Sequence, residues 1–324
     1  MSDQGPAVSI RRLTADDAAA VVDCFRRVYG DSYANELFYD ASGLAVAMTQ
    51  GRVGSVGAVD EAGMVLGHMA MSVHPDADLV ELGNTVVDPA ARGGGLAWQV
   101  GAELSAWCRE LGYQGFLHYP TTDHHIMQRQ SVKAGFETGL MLGYIPAETH
   151  GKVGATATRQ RQAATIVYEP YGQGASFEGF LPAQYADLIR ELAADTGLPR
   201  SWQPADPSIL PRSAGRTLTQ ALQKRGLQRL EVVEIGSSLN ESLAALAASQ
   251  APCLQIDFRL ADPSVGAGVS LARSEGFRFC GWLPGFRTGD VLRLQRLIEP
   301  ETDLTPALEN PVARKLLAFY AADV

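Results

Sequence analysis

Strand-like and helix-like segments alternate along 324 residues and their pattern returns once, which predicts an α/β (α+β) protein built from two related halves. Two observations carry the prediction. From Glu81 to Leu104 the chain reads strand, glycine-rich turn, helix: ELGNTVVDPAARGGGLAWQVGAEL. Lys133-Ala134-Gly135-Phe136 followed by Gly143-Tyr144-Ile145-Pro146 reappears as Ser274-Glu275-Gly276-Phe277 followed by Gly281-Trp282-Leu283-Pro284. A hydrophobic content of 46% with 19% charged residues supplies the core that such a chain needs.

Taken in order, Val8-Ser9-Ile10 alternates as a first strand does. Thr14, with Asp17 three residues on, caps a helix carrying Val21, Val22, Phe25 and Val28. An irregular link and a second helix fill residues 30–50. Strands follow over 54–59 and 65–73, joined by the turn Asp60-Glu61-Ala62-Gly63. After the Glu81 strand and the turn at Asp88-Pro89, a helix places Leu96, Val100, Leu104 and Trp107 on one face. A strand at 115–119, a helix to Ala134 and a strand at 138–144 complete the first half, 1–147. Residues 148–164 are small, polar and basic and read as a linker or a long strand connection. The second half, 165–324, is expected to open with a strand at 165–168 and a helix at 182–194. Pro199, Pro204, Pro207 and Pro211 mark a long exposed loop. A strand at 229–235, a helix at 238–249, strands at 253–260 and 290–297 and a last helix at 312–320 follow.

Composition narrows the function. A net charge of −9 argues against nonspecific nucleic-acid binding and against an anionic membrane surface. Cys24, Cys108, Cys253 and Cys280 lie far apart with no C-x-x-C pair, so neither a metal nor a disulfide framework is expected. The start of the chain has no apolar stretch of a leader, and no apolar run approaches a membrane span. The expectation is a cytoplasmic protein.

The junction at residues 92–97 is an anion site on physical grounds. The first N–H groups of a helix lack intrahelical partners, and the helix dipole adds partial positive charge there. Gly93, Gly94 and Gly95 allow close approach of a phosphate, and Arg92 adds a charge-assisted contact. A dinucleotide fingerprint counted from Gly93 would need glycine where Trp98 stands, and the Walker G-K-S/T is absent.

Arg92-Gly93-Gly94-Gly95-Leu96-Ala97 matches the Q/R-x-x-G-x-G/A pyrophosphate arm of the GNAT (acetyl-CoA-dependent N-acetyltransferase) superfamily, which this sequence resembles. Glu81, Leu82, Val87, Pro89 and Arg92 also stand where the family's preceding strand reads E-L/I-x-x-x-x-V-x-P-x-x-R. The resemblance implies two GNAT-like domains, each a mixed, mostly antiparallel sheet flanked by helices. The segments at 28–33, 124–128 and 290–295 are also similar to a bacterial group sometimes fused to serine-kinase ATPase domains, which implies no substrate.

The resemblance implies acetyl-CoA, or another acyl-CoA, as co-substrate and no metal. It implies an amine of a small molecule or protein as acceptor. Glu81 stands at the place of the family's carboxylate base, and backbone groups of Val86 and Val87 stand where the pantetheine arm and acyl carbonyl are held. The region before the second helix, with Tyr33, Tyr39 and Asp40, would line the acceptor side. The family's acid is where the chain departs. Ser131 occupies the usual tyrosine place five residues before Phe136, and His124 the usual asparagine place. Either Tyr119 or His124 donates the proton instead, the thiolate leaves unassisted, or the chemistry is weak. His118, His124 and His125 match no metal-binding spacing. No cysteine or serine lies in a nucleophile motif, so direct attack on the thioester is expected. The second half carries Gly236-Ser237-Ser238-Leu239 where an arm would stand, so it reads as a degenerate copy packed like a dimer partner. A noncatalytic acyl-CoA sensor or a scaffold are the alternatives, and both a monomeric pseudo-dimer and a homodimer fit.

Overall fold

The computed structural model describes residues 8–73, 79–123, 125–133, 135–147, 160–208, 210–286, 289–298 and 302–323. Residues 148–159 of the expected linker therefore lie outside the described residues, as does His124. The chain forms two compact units that divide after His118.

The first unit contains β1 (Val8–Arg12), α1 (Ala18–Tyr29), α2 (Ala41–Thr49), β2 (Val53–Asp60), β3 (Val65–Val73), β4 (Leu79–Val87), α3 (Leu96–Glu110) and β5 (Gly115–His118). Its strands lie in the order β1-β2-β3-β4-β5. The first four are antiparallel neighbours, joined by short connections, whereas β4 and β5 run parallel because α3 carries the chain back between them. Asp17 accepts the Thr14 N–H at 2.8 Å ahead of α1, and Asp60 Oδ1 accepts two turn N–H groups between β2 and β3, as the sequence predicts. Phe25, Val28, Phe38 and Leu44 pack with Val59, Val65, Ala70 and Val86 of the sheet. The buried stripe of α3 is Leu96, Val100, Leu104 and Cys108. Trp107, expected on that stripe, is half-buried with the Arg12 guanidinium 5.1 Å from its ring.

The second unit contains α4 (His125–Ser131), β6 (Phe136–Ile145), β7 (Gln162–Pro170), β8 (Phe177–Leu181), α5 (Ala186–Thr196), β9 (Arg200–Pro204), β10 (Arg216–Leu222), β11 (Leu227–Glu234), α6 (Leu239–Ala247), β12 (Cys253–Arg259), α7 (Val265–Ser274), β13 (Arg278–Leu283), β14 (Val291–Leu297) and α8 (Pro311–Ala322). The strand order is β7-β6-β13-β14-β12-β11-β10, with β8 and β9 as a separate parallel pair. Only β11 and β12 are parallel in the larger sheet, again across an intervening helix. The fold is thus the expected α/β class, a mixed and mostly antiparallel sheet flanked by helices. No described helix is long and apolar enough to cross a membrane.

Two expectations need correction. The segment expected to open the second half, 165–168, belongs to β7, which pairs antiparallel with β6 from Phe136↔Tyr168 to Ile145↔Gln162. A domain boundary at 165 would cut through that strand. The polar stretch before it disguised a hairpin partner as a new beginning. The proline-marked loop contains β9, because Arg200 to Pro204 can pair along one edge with β8.

The two Gly-Phe strands of the repeat meet each other. β6 and β13 run antiparallel with Gly139 opposite Gly281. A Cβ on Gly139 would stand 2.6 Å from the Cys280 carbonyl oxygen and 2.6 Å from Gly281 Cα. A Cβ on Gly281 would stand 2.9 Å from Gly139 Cα. Away from the crossing, Gln295 of β14 takes over the pairing: Oε1 accepts the Leu142 N–H at 3.0 Å, and Nε2 donates to the Leu140 carbonyl at 3.1 Å. Arg293 on the same strand forms a buried bidentate pair with Asp257, both bonds 2.7 Å. Glu137 of β6 accepts the Ala313 N–H at 2.9 Å and so holds the start of α8.

Because two of the three atoms nearest a Cβ at Gly139 are backbone, Gly139→Ala should destabilise the fold by roughly 1–3 kcal/mol or more. Gly172→Ala, where a Cβ meets nothing within 4 Å, should be near neutral. Thermal unfolding of the two variants side by side checks this, and equal midpoints would contradict the crossing.

Candidate functional site

The arm after β4 is built as a turn followed by a cradle. Asp88 caps the turn by accepting the Ala90 N–H at 3.0 Å, and it is clamped from α1 by Arg27 Nε at 2.7 Å. Burial works against the Asp88 carboxylate, but the Arg27 bond prevails and holds its pKa below the ordinary value. Arg27 also donates to the Val65 carbonyl at 2.6 Å, fixing the turn to β3. Beyond it, Gly93 (φ 88°) and Gly95 (φ 72°) lie in the left-handed region that favours glycine. Gly95 is the N-cap of α3, and the Trp98 and Gln99 N–H groups both donate to its carbonyl at 3.1 Å. The five N–H groups of residues 93–97 donate no hydrogen bond among the described residues. Arg92 and the three glycines are exposed, and Trp98 is 75% exposed. Five adjacent donors at the positive end of a 15-residue helix suit a diphosphate.

The second feature is a parting of strands. β4 and β5 pair only at Leu79↔Gly115, Val80↔Phe116 and Glu81↔Leu117. β4 continues to Val87, so its edge from Leu82 onward has no strand partner on the side away from β3 among the described residues. The register with β3 also shifts, from Ala70↔Gly83 to His68↔Val86. Asn84 and Thr85 together oppose Met69, which is a β-bulge, and Asn84 has φ 52°. It is the one non-glycine residue with positive φ among the described residues. Val86 is buried and Val87 half-buried, and Arg92 Nε donates to the Val87 carbonyl at 3.3 Å. An unpaired strand edge offers a ladder of groups to an extended chain carrying amides.

The pairing with β3 places Glu81, Gly83 and Val86 on the sheet face that also carries His68. Glu81 is half-buried, and its Oε1 lies 4.0 Å from the position of a Cβ on Gly83. The bulge beside it is held from three directions. Asn84 Oδ1 accepts from the Tyr33 hydroxyl and from Asn35 Nδ2, each at 3.1 Å. The Asn84 carbonyl is 3.0 Å from His68 Nδ1, whose Nε2 is 3.1 Å from Ser55 Oγ. That carbonyl only accepts, so Nδ1 carries the proton and Nε2 accepts from the serine. Burial pushes His68 down to about 4, so the ring is neutral near pH 7. Tyr33 packs against Phe25 and Tyr29, with ring centroids at 4.8 and 4.9 Å.

Tyr33, expected on the acceptor side, lies beside the bulge and bonds Asn84. Tyr39 and Asp40 have structural duties: the Tyr39 hydroxyl accepts the Tyr33 N–H at 2.8 Å, and Asp40 caps α2 through the Gly43 N–H at 2.9 Å. Asn35, His68 and Asn84 were missed. The available signal was an asparagine inside a β-branched run, since asparagine tolerates a left-handed backbone.

The first unit thus brings together Glu81, Val86, Val87 and residues Arg92, Gly93, Gly94, Gly95, Leu96 and Ala97. Tyr119 and Ser131 belong to the second unit. Tyr119 is half-buried, its ring 5.9 Å from that of Tyr144. Ser131 is buried and its Oγ has no hydrogen-bond partner among the described residues. His118 Nε2 is likewise enclosed without a partner, and burial pushes that imidazole down to about 4. His125 and Arg129 both engage Glu309, at 2.7 and 2.8 Å. Among the described residues no group of three His, Cys, Asp or Glu side chains is placed to hold a metal. All four cysteines are buried and unbridged. Burial raises the thiols of Cys24 and Cys253 to about 11 and that of Cys280 further.

The counterpart in the second unit is closed. β11 and β12 stay paired over six positions, Leu227↔Cys253 to Val232↔Phe258, where β4 and β5 manage three. At the head of α6, the Ser237 N–H donates to the Ser213 carbonyl at 2.8 Å and the Ser238 N–H to Ala214 at 3.1 Å. Both serine hydroxyls bond the same two carbonyls.

No protein-family model matches the chain, and no curated protein matches it. Solved structures do. A GNAT-superfamily phosphinothricin acetyltransferase from Sinorhizobium meliloti, in complex with acetyl-CoA, is 21% identical over 52% of this chain and 90% of its own, with a TM-score of 0.39. A GNAT-family N-acetyltransferase from Escherichia coli in complex with CoA is 24% identical over 40% of this chain and 70% of its own, with a TM-score of 0.32. An acetyltransferase described as putative from Salmonella typhimurium, with acetyl-CoA, is 17% identical over 53% of this chain and 98% of its own, with a TM-score of 0.41.

The buried neutral His68 predicts an acid limb of stability. Its folded value of about 4 lies below the ordinary 6.5, so between these values the unfolded chain binds the extra proton. Stability is fully present above pH 6.5 and falls as pH drops toward 4, by on the order of 3 kcal/mol. His118 acts in the same direction, whereas Asp17, held at about 2 by Arg11, acts only below pH 4. Urea unfolding from pH 4 to 7 should show this limb, shallower in His68→Gln; an unchanged slope would contradict it.

Proposed function

We propose that the first unit binds acetyl-CoA, or another acyl-CoA, and transfers the acyl group directly to an amine. The observation that carries this reading is the run of five undonated N–H groups at the head of α3, beside the open edge of β4. In this reading residues 93–97 and Arg92 hold the diphosphate. The Leu82–Val87 edge, with the backbone of Val86 and Val87, pairs with the pantetheine amides. The acyl-CoA supplies an activated thioester carbonyl, and the bulge sets the backbone beside which that carbonyl lies.

Glu81 accepts the proton from the attacking nitrogen, directly or through one water. The nitrogen–carbon bond forms, the carbon–sulfur bond breaks, and the thiolate leaves with a proton from solvent or a donor group. Tyr119, His124 and Ser131 are the proposed candidates for that donor, to be separated by single variants. The buried cysteines, whose thiols stay protonated near neutral pH, support direct attack over an acyl-cysteine route.

Calorimetric titration of acetyl-CoA tests the reading. Wild type should bind one equivalent per chain, because the head of α6 is already hydrogen-bonded to its own loop. Gly95→Glu places a side chain and a negative charge at the cradle and should weaken binding at least about 100-fold. Glu81→Gln should leave binding within about threefold and lower kcat by about 10²–10⁴-fold. Absent binding by wild type would remove the reading, retained binding without turnover would leave an acyl-CoA sensor, and a second equivalent would contradict the closed copy.

A further inference from the structure

We propose that Asn84 contacts the acceptor substrate and selects an amine bearing a carbonyl on the neighbouring carbon, such as an α-amino amide. The inference rests on the acyl-transfer reading and names the acceptor class for the same site.

A left-handed residue in mid-strand is most easily supplied by glycine. Here it is asparagine, and its side chain is used. The Tyr33 hydroxyl and Asn35 Nδ2 occupy both acceptor positions of Oδ1. That pair of donors fixes which end of the amide is oxygen and which is nitrogen. Nδ2 therefore carries two N–H groups in a set orientation, and neither has a partner among the described residues. The residue is half-buried. The aromatic packing of Tyr33 and the bond from His68 to the Asn84 carbonyl hold the group in place. A preorganised donor of this kind suits recognition more than it suits stability.

The chemistry of the partner follows from what stands next to it. Glu81 lies three residues earlier on β4, on the sheet face that carries His68, its Oε1 reaching to 4.0 Å from the Cβ position of Gly83, the residue adjoining Asn84. A carboxylate that takes a proton from nitrogen and a fixed amide that donates to oxygen complement an N–C–C=O unit. An alkylamine without the carbonyl would leave the Asn84 amide facing an apolar carbon, which a hydrogen-bonding site rejects.

The test is an NMR titration of α-amino amides, each matched with the alkylamine lacking the carboxamide, into the free and the CoA-loaded protein. Wild type should prefer the amide of each pair by about tenfold or more. Asn84→Gly keeps the left-handed backbone and removes the donor. Asn84→Asp keeps an oxygen for Tyr33 and Asn35 and replaces the donor. Comparing each pair across variants cancels the differing basicity of the amines. Loss of most of the preference in both variants supports the proposal, the CoA affinity of each variant being read in its own titration. No preference in wild type, no binding of either amine, or a preference intact in both variants overturns it. Failure of CoA to bind is read in its own titration and would instead remove the acyl-transfer reading.

Discussion

Backbone polar groups inside a folded chain must find partners, and the first unit is organised around a place where they stop doing so from within. β4 leaves β5 after Glu81 but remains bonded to β3 up to Val87. From that point three structures follow: the bulge at Asn84, the clamped turn at Asp88, and the glycine cradle that begins α3. Each is held firmly from the side facing the core, by His68, by Arg27 and by the packing of Leu96 and Val100. The Asn84 amide nitrogen and the N–H groups of residues 93–97 have no partner on the other side among the described residues.

The second unit has a strand–turn–helix–strand segment from β11 to β12 in which that constraint is relaxed. β11 and β12 remain zipped where β4 and β5 part, and the serine N–H groups ahead of α6 are answered by carbonyls of Ser213 and Ala214. The loop entering β10 satisfies the donors that a phosphate would otherwise meet. A strand–turn–helix junction is thus open or closed according to where a few backbone hydrogen bonds go.

Much of the architecture was legible because it depends on local rules. The Thr14–Asp17 cap, the Asp60 turn and the α3 stripe up to Leu104 are patterns within a few residues of each other. The cradle was legible for the same reason, since Arg92 to Ala97 is one contiguous stretch. What escaped depends on distant pairing. β7 could be recognised as the partner of β6 only through Phe136↔Tyr168, and the proline-rich stretch as holding β9 only through Phe177↔Arg200. The polar cluster at the bulge joins Tyr33, Asn35, Ser55, His68 and Asn84 from four separate segments, and no spacing announces it.

The crossing of β6 and β13 has a genetic side. In an assembly of identical chains, a substitution at such a contact appears on both sides of the axis at once. Within one chain the two strands drift separately. Gly139 and Gly281 are both without side chains where the backbones touch, while Gln295 bridges from one side only, to the Leu140 carbonyl and Leu142 N–H. Within a single chain, one strand can therefore carry a clamp that the strand across the contact does not.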